Sequence, residues 1–128
     1  MIGETSSRAL IQPEGQVRDF EESRLHRRAI RKIAMAYDRV GYNVKADHIN
    51  KFDRPETYNV IRPDIVAERN GEKIIVEVET ESTKGTQRDR RQRKVFGEWA
   101  NSDESRDFRR ETVSHQIAEL RNSPDWFK

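Results

Sequence analysis

Asn70-Gly71 lies between two runs rich in β-branched residues, RPDIVAER and EKIIVEVETE, and few dipeptides restrict a fold as tightly. A two-residue type I′ turn needs positive φ at both central positions, which Asn and Gly tolerate best, so this stretch predicts a hairpin from Arg62 to Glu79. The turn also sets the register. With Asn70 and Gly71 as the loop, Arg69 faces Glu72, Ala67 faces Ile74, Ile65 faces Val76, Asp64 faces Glu77 and Arg62 faces Glu79. Opposed residues point to the same side of a sheet. One side is then Ile61, Pro63, Ile65 and Ala67 with Ile74, Val76 and Val78, apolar throughout, and the other carries Arg62, Asp64 and Val66 with Ile75, Glu77 and Glu79.

Opposed side chains have Cβ atoms about 5 Å apart, and like charges at that separation are destabilising unless a cation lies between them. Asp64 across from Glu77 therefore calls for one. Hard cations such as Mg²⁺ or Mn²⁺ are commonly held by one or two carboxylates completed by water and phosphate oxygens. A plainer reading uses the same residues. Glu77 and Glu79 alternate with Val76 and Val78 as on any half-solvated strand, and Arg62 opposite Glu79 forms an ordinary cross-strand ion pair.

The chain has 128 residues, 33% hydrophobic and 38% charged, which bounds it to one compact domain with a small core. With no cysteine, disulfides, thiolate metal sites and a cysteine nucleophile are excluded. No run approaches the ~18 apolar residues of a membrane span, and the N-terminus lacks a signal-peptide core, so a soluble, cytoplasmic protein with no membrane partner is expected. Net charge is only +2, so partners must be read from where the basic residues lie.

Met1 to Gln16 is polar, with Pro13 and Gly15, and reads as a flexible arm, leaving residues 17–128 as a single domain. From Val17 the pattern is helical: Leu25, Ala29, Ile30, Ile33, Ala34, Tyr37 and Val40 recur at three- and four-residue spacing, with Gly41 as the stop. Asp19, Glu21 and Glu22 fall in its first turns, where acids favour the helix dipole. Glu22 lies on the line through His26, Ala29 and Ile33. Neither His26 nor His48 has a partner histidine at metal-ligand spacing, and both read as solvated or substrate-facing. Tyr42, Val44 and Ala46 alternate with Asn43, Lys45 and Asp47 as a first strand.

Beyond the hairpin, Glu81 to Gly85 reads as a loop and Thr86 to Ala100 as a second helix burying Val95, Phe96, Trp99 and Ala100. Its first half is QRDRRQRK. Lys84, Arg88, Arg90, Arg91, Arg93 and Lys94 form a basic cluster beside the acidic hairpin, suited to phosphate contacts along DNA, although charge runs are commonly just solvated helix faces. Asp107 to Val113 predicts a further strand and His115 to Arg121 a last short helix. Trp126 and Phe127 read as covering the core edge, with a dimer contact or base stacking as alternatives.

Pro63-Asp64, a short hairpin and Glu77-Val78-Glu79, flanked by a helix and strand before and a helix and strand after, resembles the PD-(D/E)xK nuclease superfamily from about Asp19 to Val113. That superfamily includes restriction endonucleases, archaeal Holliday junction resolvases and RecB-like exonucleases. The resemblance implies an α/β, restriction endonuclease-like mixed sheet flanked by helices, and a metal-dependent DNA endonuclease acting on branched or duplex DNA, possible as a homodimer. It implies Asp64 and Glu77 as metal ligands for Mg²⁺ or Mn²⁺, with the Val78 carbonyl completing the shell and Glu22, or Glu21 after it, as the acid of the first helix. Arg88, Arg91 and Lys94 would hold the DNA backbone. Gln92 and Phe96 are similar to the Gln-x-x-x-Tyr element of RecB-like members, with Gln87 a second candidate.

Glu79 departs from the pattern, standing where the superfamily usually has lysine. Glu79 as general base or metal ligand is one repair, and a migrated cation, Lys84 before Lys73, is another. Loss of catalysis is the third, which makes a non-catalytic DNA-binding or assembly module on the same fold the competing expectation.

Overall fold

The computed structural model describes residues 13–113, with side chains from Ser23 onward. Helix α1 (Pro13–Arg39) leads into strand β1 (Asn43–Ala46), the hairpin β2 (Ile65–Arg69) and β3 (Glu72–Glu79), helix α2 (Gln87–Asn101) and strand β4 (Arg106–Thr112). The sheet order is β1-β2-β3-β4. β1, β2 and β3 pair antiparallel while β4 runs parallel to β3, so the sheet is mixed and α2 is the crossover that a parallel pair requires. The fold is α/β, a mixed sheet with a helix on each side, as the sequence leads one to expect.

The hairpin keeps the register the turn dictates, from Arg69 opposite Glu72 to Ile65 opposite Val76. Asn70 and Gly71 both take positive φ, 54° and 84°. On one side of the sheet Ile65, Ala67, Ile74, Val76 and Val78 pack against Leu25, Ala29, Ile30, Ile33, Ala34 and Tyr37 of α1. Each fully buried aliphatic chain contributes about 1.5–3 kcal/mol, which is why α1 holds to the sheet despite its charge. On the other side Val66 and Ile75 pack against Phe96 of α2, with Tyr58, Val95, Trp99 and Phe108 around them.

Helices therefore cover both sides, and the half-solvated strand does not exist: Glu77 and Glu79 are each 3% exposed. Several local expectations shift for physical reasons. α1 begins at Pro13 rather than Val17, consistent with the tolerance of the first helical turn for proline. Val40 is 44% exposed because the stripe ends with Tyr37. Tyr42 precedes β1 and packs edge-on to Tyr37 at 5.0 Å. The Arg62 to Glu79 ion pair is absent, because the ladder stops at Ile65 and Arg62 turns away to donate to the Pro55 carbonyl. β4 starts one residue earlier than expected, at Arg106. Among the described residues no helix is long and apolar enough to cross a membrane. The expected helix from His115 and the pair Trp126 and Phe127 lie outside the described residues.

Candidate active site

Where β2 and β3 stop pairing as a ladder, their backbones are joined by the carboxylates themselves. Asp64 Oδ2 accepts from the Val78 backbone N–H at 2.8 Å, and Glu77 Oε2 accepts from the Asp64 backbone N–H at 2.7 Å. Each acid thus replaces a strand hydrogen bond, and the exchange holds the two side chains together. Proline at 63 ends the ladder here because it has no N–H to continue it. The acids open onto a cleft of about 350 Å³ between α1, the ends of the hairpin and the start of α2. Among the residues lining it are Asp64, Glu77, Val78, Glu79, Arg88 and Gln92.

His26 enters from α1. Its Nε2 donates to the Val78 carbonyl at 2.8 Å and lies 3.4 Å from Asp64 Oδ2. Burial alone would lower the imidazole pKa, but the Asp64 carboxylate, by hydrogen bond and by charge, with the Val78 carbonyl, raises it above its ordinary value. The Val78 carbonyl, expected as a metal ligand, thus already accepts one hydrogen bond.

Glu77 has its pKa raised well above the ordinary carboxylate range, first by burial and then by the Asp64 and Glu79 charges, with the Asp64 N–H and Arg88 offsetting part of this. Without a cation this pair is electrostatically unfinished.

Glu79 belongs to a second pair. Burial, then a hydrogen bond to the Asp89 carboxylate and its charge, raise its pKa, while the Thr83 hydroxyl, which donates to Oε2 at 3.1 Å, and Arg110 pull it down. Asp89, 2% exposed, is pushed up by burial but brought below its ordinary value by the Gly85 N–H, by the Glu79 hydrogen bond, and by Arg110 and Arg93. Arg110 Nη2 lies 3.1 and 3.2 Å from the two Asp89 oxygens, and the Gly85 N–H donates to Oδ2 at 2.8 Å. Glu79 therefore lies against Asp89 and Thr83 rather than facing Arg62.

The remaining expected site residues separate. Arg88 and Gln92 reach the cleft, whereas Lys84, Arg91 and Lys94 are exposed and do not line it. Lys73 is farther off, its ammonium over the Tyr58 ring at 5.9 Å. Glu22 and Glu21 belong to the part of α1 whose side chains lie outside the described residues. Among the described residues no three of His, Asp and Glu are grouped to hold a metal ion. What is present is a two-carboxylate donor set, and the hydrogen bonds among the described residues engage one oxygen of each acid. That composition fits Mg²⁺ or Mn²⁺, which take one or two protein carboxylates and complete their shell with water and phosphate.

His26 and Asp89 are the site residues that motif reading passed over. His26 had a signal, its place on the helical line from Glu22 to the buried stripe at Ala29 and Ile33. Asp89 had another: Thr86 caps α2 by accepting from the Asp89 N–H at 3.1 Å, a Thr-x-x-acid capping pattern visible in the sequence. Arg110 had none.

A family model described as AHJR-like (REase_AHJR-like) matches residues 19–98, from early in α1 to near the end of α2, and so includes every acid of the cleft. No curated protein matches the chain.

Proposed function

This chain belongs to the REase_AHJR-like family, restriction endonuclease-like nucleases, and from that premise we propose that it is a metal-dependent endonuclease hydrolysing phosphodiester bonds in DNA. The observation that carries the reading is the Asp64 and Glu77 pair. The buried Glu77 carboxyl and the partly buried Asp64 carboxylate exchange backbone hydrogen bonds at the mouth of a cleft, where a cation would relieve their repulsion.

Asp64 and Glu77 would hold Mg²⁺ or Mn²⁺, the ion supplying Lewis-acid polarisation of a phosphoryl oxygen and acidification of a water. The chain's own residues do the rest. His26, bonded to Val78 and beside Asp64, fixes the orientation of the Asp64 carboxylate. Arg88 and Gln92, projecting from α2 into the cleft, suit phosphate and strand contacts, with Arg91 and Lys94 extending the basic face outward. Glu79, where related nucleases carry lysine, has a pKa raised by burial and by Asp89 and would serve as the general base. Lys84 would act only by swinging in from the loop.

The test is incubation of the purified chain with branched, duplex and single-stranded DNA plus Mg²⁺ or Mn²⁺. Cleavage of at least one substrate, reduced at least ~10²-fold by Asp64→Asn, is expected. Cleavage on none of them, or cleavage indifferent to Asp64→Asn, overturns the reading. One observation favours the competing non-catalytic DNA-binding module: the Glu79 carboxyl is occupied by Asp89 and Thr83. That version binds DNA, shows no heat of Mn²⁺ binding by calorimetry, and tolerates Glu77→Gln.

A further inference from the structure

A second basic surface lies on α1, on the other side of the sheet from α2. Arg24, Arg27, Arg28 and Arg31 line one wall of an open groove of about 610 Å³, and His48, Asn50 and Lys51, in the turn after β1, line the other. Among the described residues no carboxylate lines this groove, and the nearest ones, Asp38 at 3.9 Å from Lys51 Nζ and Asp47 at 3.3 Å from His48 Nε2, lie at the loop side. The arginines recur every three or four residues, which places them along one face of the helix, while Leu25, Ala29 and Ile30 of the adjacent face are buried in the core. Core packing therefore fixes the side from which they project. The four arginines are exposed, and across the groove from them the loop adds a fifth cation, Lys51, with His48 at φ 66° at its bend.

The groove is tied to the acidic cleft by the backbone. β1 ends beside the start of β2, Ala46 opposite Ile65, and the Asp47 N–H donates to the Asp64 carbonyl at 2.8 Å. The loop of the groove thus leaves from the same end of the sheet as the candidate metal ligands. His26, which faces the cleft, is flanked in sequence by the groove arginines. Cations thus lie on both sides of the sheet, Arg88 in the cleft on the α2 side and the α1 arginines in the separate groove on the other.

We propose that the α1 groove is a second phosphodiester-backbone site, so that a DNA duplex lies across the end of the sheet and is gripped on both sides of the cleft. Planar guanidinium groups at helical spacing match the chemistry of a polyanion with regularly spaced phosphates. An acidic protein surface offers carboxylates without that spacing. The inference rests on the reading of the cleft only in taking DNA as the polymer; it needs neither metal nor cleavage.

Fluorescence anisotropy of a labelled DNA duplex, titrated with the full chain in EDTA over a series of salt concentrations, tests it. The variant Arg27→Gln/Arg28→Gln/Arg31→Gln is expected to weaken duplex binding on the order of a hundredfold near 0.1 M salt and to lower the slope of log K against log salt by about 2.7, the loss of three phosphate contacts. Arg39→Gln, a cation on the last turn of α1 outside the groove, is expected to leave the slope unchanged. Should the triple variant fail to fold by circular dichroism, Lys51→Glu and Arg27→Glu are read singly, each lowering the slope by about one. Unchanged binding and slope in folded variants, with the parent chain still binding duplex, overturns the groove and leaves the nuclease reading standing. Tighter binding of duplex RNA than of duplex DNA overturns the assignment to DNA, and a parent chain that binds no nucleic acid overturns both.

Discussion

β3 carries two carboxyl pairs two residues apart, and they solve the same electrostatic problem in opposite ways. Glu79 and Asp89 are closed by the protein itself: the Thr83 hydroxyl donates to Glu79, Asp89 accepts from the Gly85 N–H, and Arg110 reaches both Asp89 oxygens from β4. Glu77 and Asp64 receive only backbone N–H groups and a half-exposed edge of His26, with the Arg88 charge nearby. The first pair is structure and the second is a site left for something to complete. A buried acid is thus informative through what compensates it, and motif spacing cannot say which of Glu77 and Glu79 is which.

The largest expected effect tests the closed pair. Arg110→Ala removes the countercharge of a carboxylate that is 2% exposed, and breaking such a pair from one side costs about 3 kcal/mol or more. Urea unfolding at pH 7 reads it directly. Glu77→Gln in the same assay without metal is expected to be neutral or stabilising, because the amide oxygen still accepts from the Asp64 N–H while one repelling charge is gone. A similar loss in both variants breaks the contrast.

If the proposed metal site is right, metal addition should act on the open pair alone. Mn²⁺ at a hundred times its dissociation constant should stabilise the chain by about 2.7 kcal/mol, seen as a rise in Tm. Asp64→Asn and Glu77→Gln should each abolish the rise, while Glu79→Gln, whose amide still donates to Asp89, should keep it. Loss of the rise in Glu79→Gln would move Glu79 into the metal site and merge the two pairs.

Proton linkage bears on both pairs, since Glu79 is raised as Glu77 is while Asp89 is lowered, and only the Glu77 part should vanish with Glu77→Gln. Glu77 has a raised pKa in the folded chain, so it binds its proton more tightly there than when unfolded; its contribution is fully present below the ordinary value of 4.5 and is lost as pH rises through the folded value. His26, also raised, contributes below 6.5 and loses that contribution in the same direction. Metal-free stability should therefore fall with rising pH by up to about 1.4 kcal/mol per unit for each group that titrates. Urea midpoints measured from pH 4.5 upward check this. Glu77→Gln should flatten the dependence, and a parent chain that gains stability over the range would contradict the buried, unpaired state of Glu77.

How far the sequence reached follows the same division. Everything fixed by local geometry was legible: the Asn70-Gly71 turn, the pairing from Arg69 to Ile65, and the stripe from Leu25 to Tyr37. The apposition of Asp64 with Glu77 followed from that pairing even though the ladder itself stops one residue short. What depended on chain ends meeting across the fold was not legible. The burial of Glu77 and Glu79 requires α2 to cover the second side of the sheet, and the partner of Asp89 comes from β4, 21 residues away. Asp89 therefore read as a stray acid in a basic track, and Arg62 read as the partner of Glu79, because pairing continued past Pro63 would have put it there.

The smallest expected effect is at the hairpin tip, and it bears on the open pair alone. Gly71 holds φ 84°, a conformation in which an L side chain costs about 1 kcal/mol, and a Cβ built there meets no heavy atom within 4 Å. Gly71→Ala should thus destabilise through backbone conformation, with no clash to confuse the result. Asp64 and Glu77 owe their apposition to the turn, since a slip of one residue would send one of them to the α1 side of the sheet. Glu79 and Asp89 meet through α2 and β4 and owe the turn nothing. If Gly71→Ala weakens Mn²⁺ binding along with stability, the tip is setting the register of the open pair; a loss of stability with metal affinity unchanged would instead mean that the Asp64 and Glu77 backbone hydrogen bonds hold that register without it.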